Sequence, residues 1–364
     1  MKEGAPGGIL GSPVRLAHPD VGLEEADAVA EVLASGRLTM GPKVPAFEAG
    51  LGRLCGREHV VAVSSGTAAL HLALLALRIG PGDEVLVPAY TFPATANVVA
   101  LAGAKPVLVD IDPATMNLEP ERAADAVTPR TKAVLVVHLF GRPVGWEELR
   151  DSLPARVHLI EDAAGALGAR YRGRPCGGLG EVGCLSFHPR KVVTTGEGGA
   201  VVCEADELAE SVRRLRNHGV PSHGDFDVLA PGYNYRLSDL HCAIGLPQLR
   251  RLEDLLAARR RLAQVYSERL AGLVETPSAA KGDEHGWQAY VVQLDRRDKA
   301  LAALGASGIE AQIGTYALHR LVAYRDQGSF PGADACFQRA LALPFHTRLG
   351  EEEIDRITTV LTGL

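Results

Sequence analysis

A chain of 364 residues, 46% of them apolar, exceeds what one hydrophobic core usually holds, so a large domain and a smaller one are expected. The formal net charge of −6, with no Lys/Arg block, provides no basic field that would gather nucleic acid or anionic lipid, so neither partner is expected. The amino-terminal MKEGAPGGIL carries one lysine and no sustained apolar run, which reads as no secretory signal, no membrane span and a cytoplasmic location. Cys55, Cys176, Cys184, Cys203, Cys242 and Cys336 are scattered without a C-x-x-C pair or a nearby histidine at zinc spacing, so they read as buried thiols and no metal site is expected.

In chain order, residues 1–20 read as an arm punctuated by Gly and Pro, and the first helical pattern runs from Leu23 to Ala34. Short runs rich in Val, Ile and Leu follow at Val60–Val63, Glu84–Val87, Pro106–Val109, Ala133–Val137, His158–Ile160 and Ala200–Cys203, alternating with helical segments. That alternation predicts a mostly parallel central sheet flanked by helices, with ligands at the carboxyl ends of its strands. A long charged helix is expected over 249–273, then a polar loop at 276–286, a strand at 288–294 and helices near 299–304 and 351–361. The division is therefore a large domain over 21–245 and a small C-terminal α+β domain over 246–364.

Three segments could carry chemistry. Val61-Ala-Val-Ser-Ser-Gly-Thr67 is a strand and a Ser/Gly turn before the apolar helix at 68–77. Such a helix start offers free N–H groups and the positive end of a dipole, an anion site suited to phosphate, although Ser64 or Ser65 could equally be an ordinary helix cap. His158-Leu-Ile-Glu-Asp162-Ala-Ala-Gly165 puts two carboxylates at a strand end before small residues. Asp162 there could keep a pyridine nitrogen protonated, though strand-end acids also bind metals or cap helices. Cys184-Leu-Ser-Phe-His-Pro-Arg-Lys191-Val-Val-Thr-Thr-Gly-Glu-Gly-Gly199 holds a lysine between an apolar strand and a glycine turn, a setting that favours the free amine a Schiff base needs. Gly178-Leu-Gly-Glu-Val-Gly183 matches a dinucleotide fingerprint in letters only, because a strand rather than a helix follows it.

Together with Pro88-Ala-Tyr-Thr-Phe-Pro-Ala-Thr95, Val137-His-Leu-Phe-Gly141, Arg216-Asn-His-Gly219 and Tyr233-Asn-Tyr-Arg-Leu-Ser-Asp239, these segments resemble the DegT-type sugar aminotransferases over residues 41–361. The resemblance implies a fold-type I α/β enzyme dependent on pyridoxal 5′-phosphate (PLP). Its amino donor would be glutamate or glutamine, and its acceptor a keto sugar carried on a nucleotide. It implies that Lys191 is the Schiff-base lysine and proton shuttle, that Asp162 partners the pyridinium, and that Ser65, Gly66, Thr67 and Ser186 hold the phosphate. Phe92 takes the place of the stacking ring, and Asn234 that of a residue reaching the other subunit's phosphate in a homodimer with shared active sites. Arg190, Arg236, His319 and Arg320 are the candidate cations for the acceptor's diphosphate.

Two departures stand out: Gly165 sits where the family usually has His or Gln, and Ala311-Gln-Ile-Gly-Thr-Tyr-Ala-Leu-His319 replaces a His-Tyr-Pro pattern. Alternative readings are a cyclitol aminotransferase, an aminohydroxybenzoate-synthase-like dehydration, or a catalytically silent regulator on the same fold. Retention of Lys191 speaks against the family's dehydratase branch, and Lys191 together with Asp162 against silence.

Overall fold

The computed structural model describes residues 13–221, 226–325 and 327–364. Seven strands form the main sheet: β1 (His59–Val63), β2 (Glu84–Pro88), β3 (Lys105–Val109), β4 (Thr131–Val137), β5 (His158–Asp162), β6 (Val182–Ser186) and β7 (Gly199–Cys203). Their spatial order is β1-β7-β6-β5-β4-β2-β3. β7 alone runs antiparallel to its neighbours, so β1 to β6 share one direction and their carboxyl ends meet along one edge.

The strands are apolar on both sides because both faces are covered. Val61, Val63, Val85, Val87, Leu135 and Val137 pack into one core, whereas Val60, Ala62, Leu86, Val134 and Val136 pack into a second on the opposite face. Successive side chains in a strand point to opposite faces, so a single run of valines feeds both cores. The apolar helix α3 (Gly66–Ala76) has every residue from Ala68 to Leu74 buried and packs on β6 and β7.

A third core gathers Tyr266, Leu270, Tyr290, Val292, Leu341, Leu343, Ile354 and Ile357 around a three-stranded sheet of Tyr290–Gln293, Ala340–Leu343 and Gln312–Ile313. Val14 joins this core and bridges Ile309, which ties residues just after the undescribed start to the carboxyl-terminal third. Residues 1–12 of the expected arm lie outside the described residues.

The long helix expected over 249–273 is two helices, Asp239–Arg250 and Leu252–Arg269, with a break at Arg251 (φ −105°, ψ 18°). The Arg251 guanidinium is tied to Glu25 and to Asp20, which docks the break onto α1 (Leu23–Ser35). At the far end the helix stops at Arg269, capped by Leu270, and Gly272 at φ +75° then turns the chain away. The 245/246 division falls inside the Asp239–Arg250 helix, whose Cys242 lies in a large-sheet core. The second helix spans both regions, with Leu252, Leu255 and Leu256 in that core and Ala263 and Tyr266 in the third. Periodicity could not reveal the break, because charged residues continue across it.

Candidate active site

Along the shared edge a cavity of about 510 Å³ opens between the main sheet and the Gln312–Ala342 region. That volume lies within the range of small-molecule and cofactor sites. Ser65, Gly66 and Thr67 line it after β1, Phe92 after β2, Asp162 at the end of β5, and Ser186, Arg190 and Lys191 at and after β6.

At one end Ser65 caps α3, its hydroxyl accepting the Ala68 N–H at 3.0 Å. The helix start leans over β7 to reach Ser186, and Gly199 makes this possible. A Cβ on Gly199 would stand 2.4 Å from the Ser65 carbonyl carbon, and one on Gly66 would stand 2.8 Å from Ser186 Cβ. Only glycine lets these backbones approach so closely. A helix N-terminus, two serine hydroxyls and Thr67 therefore converge on one spot, an arrangement suited to a phosphate dianion.

At the other end Asp162 is buried. Thr95 Oγ1 donates to its Oδ2 at 2.9 Å and the Ala164 N–H to its Oδ1 at 3.3 Å. Thr91 Oγ1 lies 3.2 Å from Thr95 Oγ1, so with Thr95 donating to the acid, Thr91 donates to Thr95. Burial pushes the Asp162 carboxyl above the usual range, partly offset by the Thr95 hydrogen bond and the Lys191 ammonium. Lys191 is half-buried in the loop after β6, where its N–H bonds the His188 carbonyl at 2.8 Å. Burial pulls its amine below the ordinary lysine value; Asp162 opposes this shift and Arg190 adds to it. Thus the fold holds a reluctant carboxylate and a reluctant ammonium in one cavity, which is where chemistry is expected.

The adjacent acid has a different fate. Glu161 points to the opposite face of β5, fully buried, and accepts the N–H groups of Gly177, Leu179 and Gly180 at 2.6, 2.7 and 2.9 Å. His138 Nδ1 accepts the Val144 N–H at 3.1 Å, so its Nε2 carries the proton that faces Glu161 Oε2 at 3.0 Å. The glycine loop at 177–183 therefore wraps the protein's own carboxylate and runs into β6. Removing the acid leaves two buried N–H groups, a half-buried one and an imidazole N–H without their acceptor. Glu161→Ala is accordingly expected to cost about 3–5 kcal/mol, read as a lower urea midpoint with an unchanged denaturant slope. A midpoint equal to wild type would contradict this anchoring.

Four sequence candidates do not line this chain's cavity. Arg236 donates to Asn217 Oδ1 at 2.6 Å, and His319 and Arg320 both engage Asp334, His319 at 2.9 Å. Arg320 also covers the Phe337 ring. These three side chains are committed to intramolecular partners, which spacing could not foresee because Asp334 lies on a later helix, Pro331–Arg339. Asn234 is exposed and bridges Asn217 through its backbone. Phe92 lines the cavity with 61% of its surface exposed, edge-on to Tyr316 at 6.3 Å. Thr95, which orients Asp162, closes the Pro88–Thr95 segment without any sequence sign of that role, and Gln288 has no functional sign in the sequence either.

A cavity with a half-buried lysine amine, a buried acid and a phosphate-type cradle defines the class of enzymes that carry an aldehyde cofactor on lysine. The sequence profile of the DegT/DnrJ/EryC1/StrS aminotransferase family matches residues 19–362, and the chain belongs to that family of PLP-dependent aminotransferases. It is 39% identical to GDP-perosamine synthase of Caulobacter vibrioides, over 96% of this chain and 97% of that protein. The aminotransferase TlmJ from Streptoalloteichus hindustanus superposes with a TM-score of 0.92 at 36% identity, covering 96% of this chain and 98% of that one. Spr1654 from Streptococcus pneumoniae in its PMP form gives 0.91 at 30% identity over 96% and 98%, and it has also been solved in a PLP form. The residues present fit PLP: the α3 cradle matches its phosphate, and the buried Asp162 carboxylate, only partly offset by Lys191, suits a pyridinium as its partner. Among the described residues no helix is long and apolar enough to cross a membrane.

Proposed function

We propose that this enzyme moves an amino group from glutamate or glutamine to a keto sugar carried on a nucleotide. The observation that carries this reading is the joint presence of Lys191 and Asp162 in one cavity of cofactor-site size. The acceptor class rests on the relative whose name places its product on GDP.

PLP, when bound, supplies an electron-withdrawing ring that stabilises negative charge at the carbon bearing the transferred amine. Lys191 Nζ holds the cofactor's aldehyde carbon. Once displaced by a substrate amine, Nζ would be placed to move a proton between the amine-bearing carbon of the substrate and the former aldehyde carbon on the other side of the transferred nitrogen. Its lowered basicity matches this task, since a general base must be free near neutral pH. Asp162 keeps a ring N–H cationic, and Thr95 fixes the carboxylate's orientation. Ser65, Gly66, Thr67 and Ser186 would bind the phosphate, and the Phe92 ring would be the one to stack on the cofactor.

Arg190, at the cavity wall and joined to Gln312 Oε1 at 3.0 Å, remains the candidate cation for the acceptor's diphosphate. Asn234 reaches the phosphate of a second copy of the chain, so the working unit is a homodimer. Exposed Phe92, Tyr316 and Val322 are apolar surface that such a partner would cover.

The test is a panel of nucleotide-linked 3-keto and 4-keto sugars with glutamate or glutamine as donor, each product read by mass. The expected result is replacement of a ketone oxygen by an amine on at least one acceptor. Amination of free sugars or cyclitols alone would overturn the nucleotide requirement.

A further inference from the structure

On the wall beside Asp162 the chain has no side chain at Gly165, yet the space is filled. A Cβ on Gly165 would lie 3.3 Å from Gln288 Oε1 and 3.6 Å from Gln288 Cγ. The other end of the same carboxamide, Nε2, donates to the Arg190 carbonyl at 3.3 Å. One amide thus spans from the segment three residues past Asp162 to the residue before Lys191, and it lines the cavity that holds both.

The backbone that presents it is tightly held. The Gln288 N–H donates to the Phe140 carbonyl at 3.1 Å and the Gly286 N–H to the Gly141 carbonyl at 2.8 Å. Arg259 donates to the carbonyls of Trp287 at 2.9 Å and Gln288 at 3.3 Å. Trp287 takes φ +48°, turning the chain so that the next side chain faces the cavity, and it stacks on His285 with ring centres 4.1 Å apart. At Gly141 a Cβ would stand 3.0 Å from both the Gly165 carbonyl and the Trp287 N. Three segments interlock there, with room for glycine alone. All of these anchors act through backbone atoms of 286–288 or other residues' side chains, so the carboxamide takes no part in holding its own segment, and its Nε2 keeps a second N–H beyond the one given to the Arg190 carbonyl. Its one hydrogen bond among the described residues, at 3.3 Å, is long for an N–H to a carbonyl.

We propose that Gln288 is a cofactor-contacting residue: its amide N–H, held between Gly165 and Arg190, donates to the anionic ring oxygen that PLP carries next to its Lys191-linked carbon. The inference rests on the site reading above. Chemically, the ring oxygen and the protonated Lys191 linkage attract each other; a donor to the oxygen draws off part of its charge and makes the linkage easier to deprotonate. Gln288 therefore lowers the pH at which Lys191's linkage loses its proton and primes it for attack by a substrate amine.

The experiment is a pH titration of the visible band of the holoenzyme, compared with Gln288→Leu, which keeps the volume without the amide, and Gln288→Asn, which withdraws it from the Gly165 wall. Asp162, His188, Arg190 and Glu197 also line the cavity and are common to all three proteins, so the difference isolates Gln288. In both variants the midpoint is expected to rise by about one pH unit, the shift that one hydrogen bond to a charged group carries. Borohydride should still fix the cofactor on Lys191. An unchanged midpoint in a variant that binds cofactor would overturn the role of Gln288 while leaving the site reading intact. Wild-type protein that forms no borohydride-trappable band on Lys191 would instead sink both. Should Gln288→Leu fail to fold, Gln288→Asn decides alone.

Discussion

Lys191→Ala is expected to lower turnover by roughly four orders of magnitude, with far-ultraviolet circular dichroism unchanged. The residue is half-buried, and its one described hydrogen bond runs from its backbone N–H, which alanine keeps. Losing the amine removes both the anchor for the aldehyde and the base that moves the proton. Borohydride should then no longer fix cofactor to the chain. A small primary amine added to the solution should restore part of the rate, because what is missing is an amine at that spot. Full activity in the variant would contradict the mechanism.

Asp162→Asn is expected to reduce turnover about a hundredfold, since a hydrogen bond to a charged group contributes about 2–3 kcal/mol and each 1.4 kcal/mol is a factor of ten. Its effect on stability should run the other way. Burial raises the Asp162 carboxyl in the folded chain, so the fold favours the protonated acid. The stability this gives is fully present below the unfolded carboxyl value and is lost as pH rises through the folded one. Wherever pH exceeds the folded value, the buried carboxylate carries a desolvation penalty that the neutral asparagine amide avoids. Cofactor-free Asp162→Asn should melt at or above wild type at pH 7.5, with the difference shrinking toward pH 3. A variant that melts lower at neutral pH would show that the carboxylate is already satisfied without its cation. With cofactor bound the ranking should invert, because the ring cation then meets the charge.

The same two residues explain why a reading of local sequence could reach them. Lys191 follows an apolar strand and precedes a glycine turn, and Asp162 ends a strand; both positions sit at carboxyl ends, where a parallel sheet exposes side chains to ligands. Glu161 shares that setting, and only the alternation of a strand separates it from Asp162, sending one carboxylate to the cavity and the other to the Gly177–Gly180 amides. The glycine fingerprint at 178–183 likewise has an anion partner, but that partner is the protein's own.

The acceptor cations were less legible. Arg236, His319 and Arg320 look free in sequence, yet Asn217 and Asp334 hold them, and a charge is available to a substrate only if no nearer partner takes it. Gln288 was illegible for the opposite reason. It stands 123 residues beyond Gly165, in a segment with no motif, and only the interlock of Gly141, Gly165 and Trp287 brings its amide to the wall.

What the amino-acid sequence by itself determined is local and periodic: the valine-rich strands, the apolar helix with a capping serine at its start, and the lysine and acid after strands. What only the tertiary structure decided is pairing across distance: the break at Arg251, the partners of Arg236, His319 and Arg320, Thr95 on Asp162 and Gln288 beside Gly165. The physical reason is that strand and helix periods are written in neighbouring residues, whereas burial and hydrogen-bond partners depend on which distant segments the folded chain brings together.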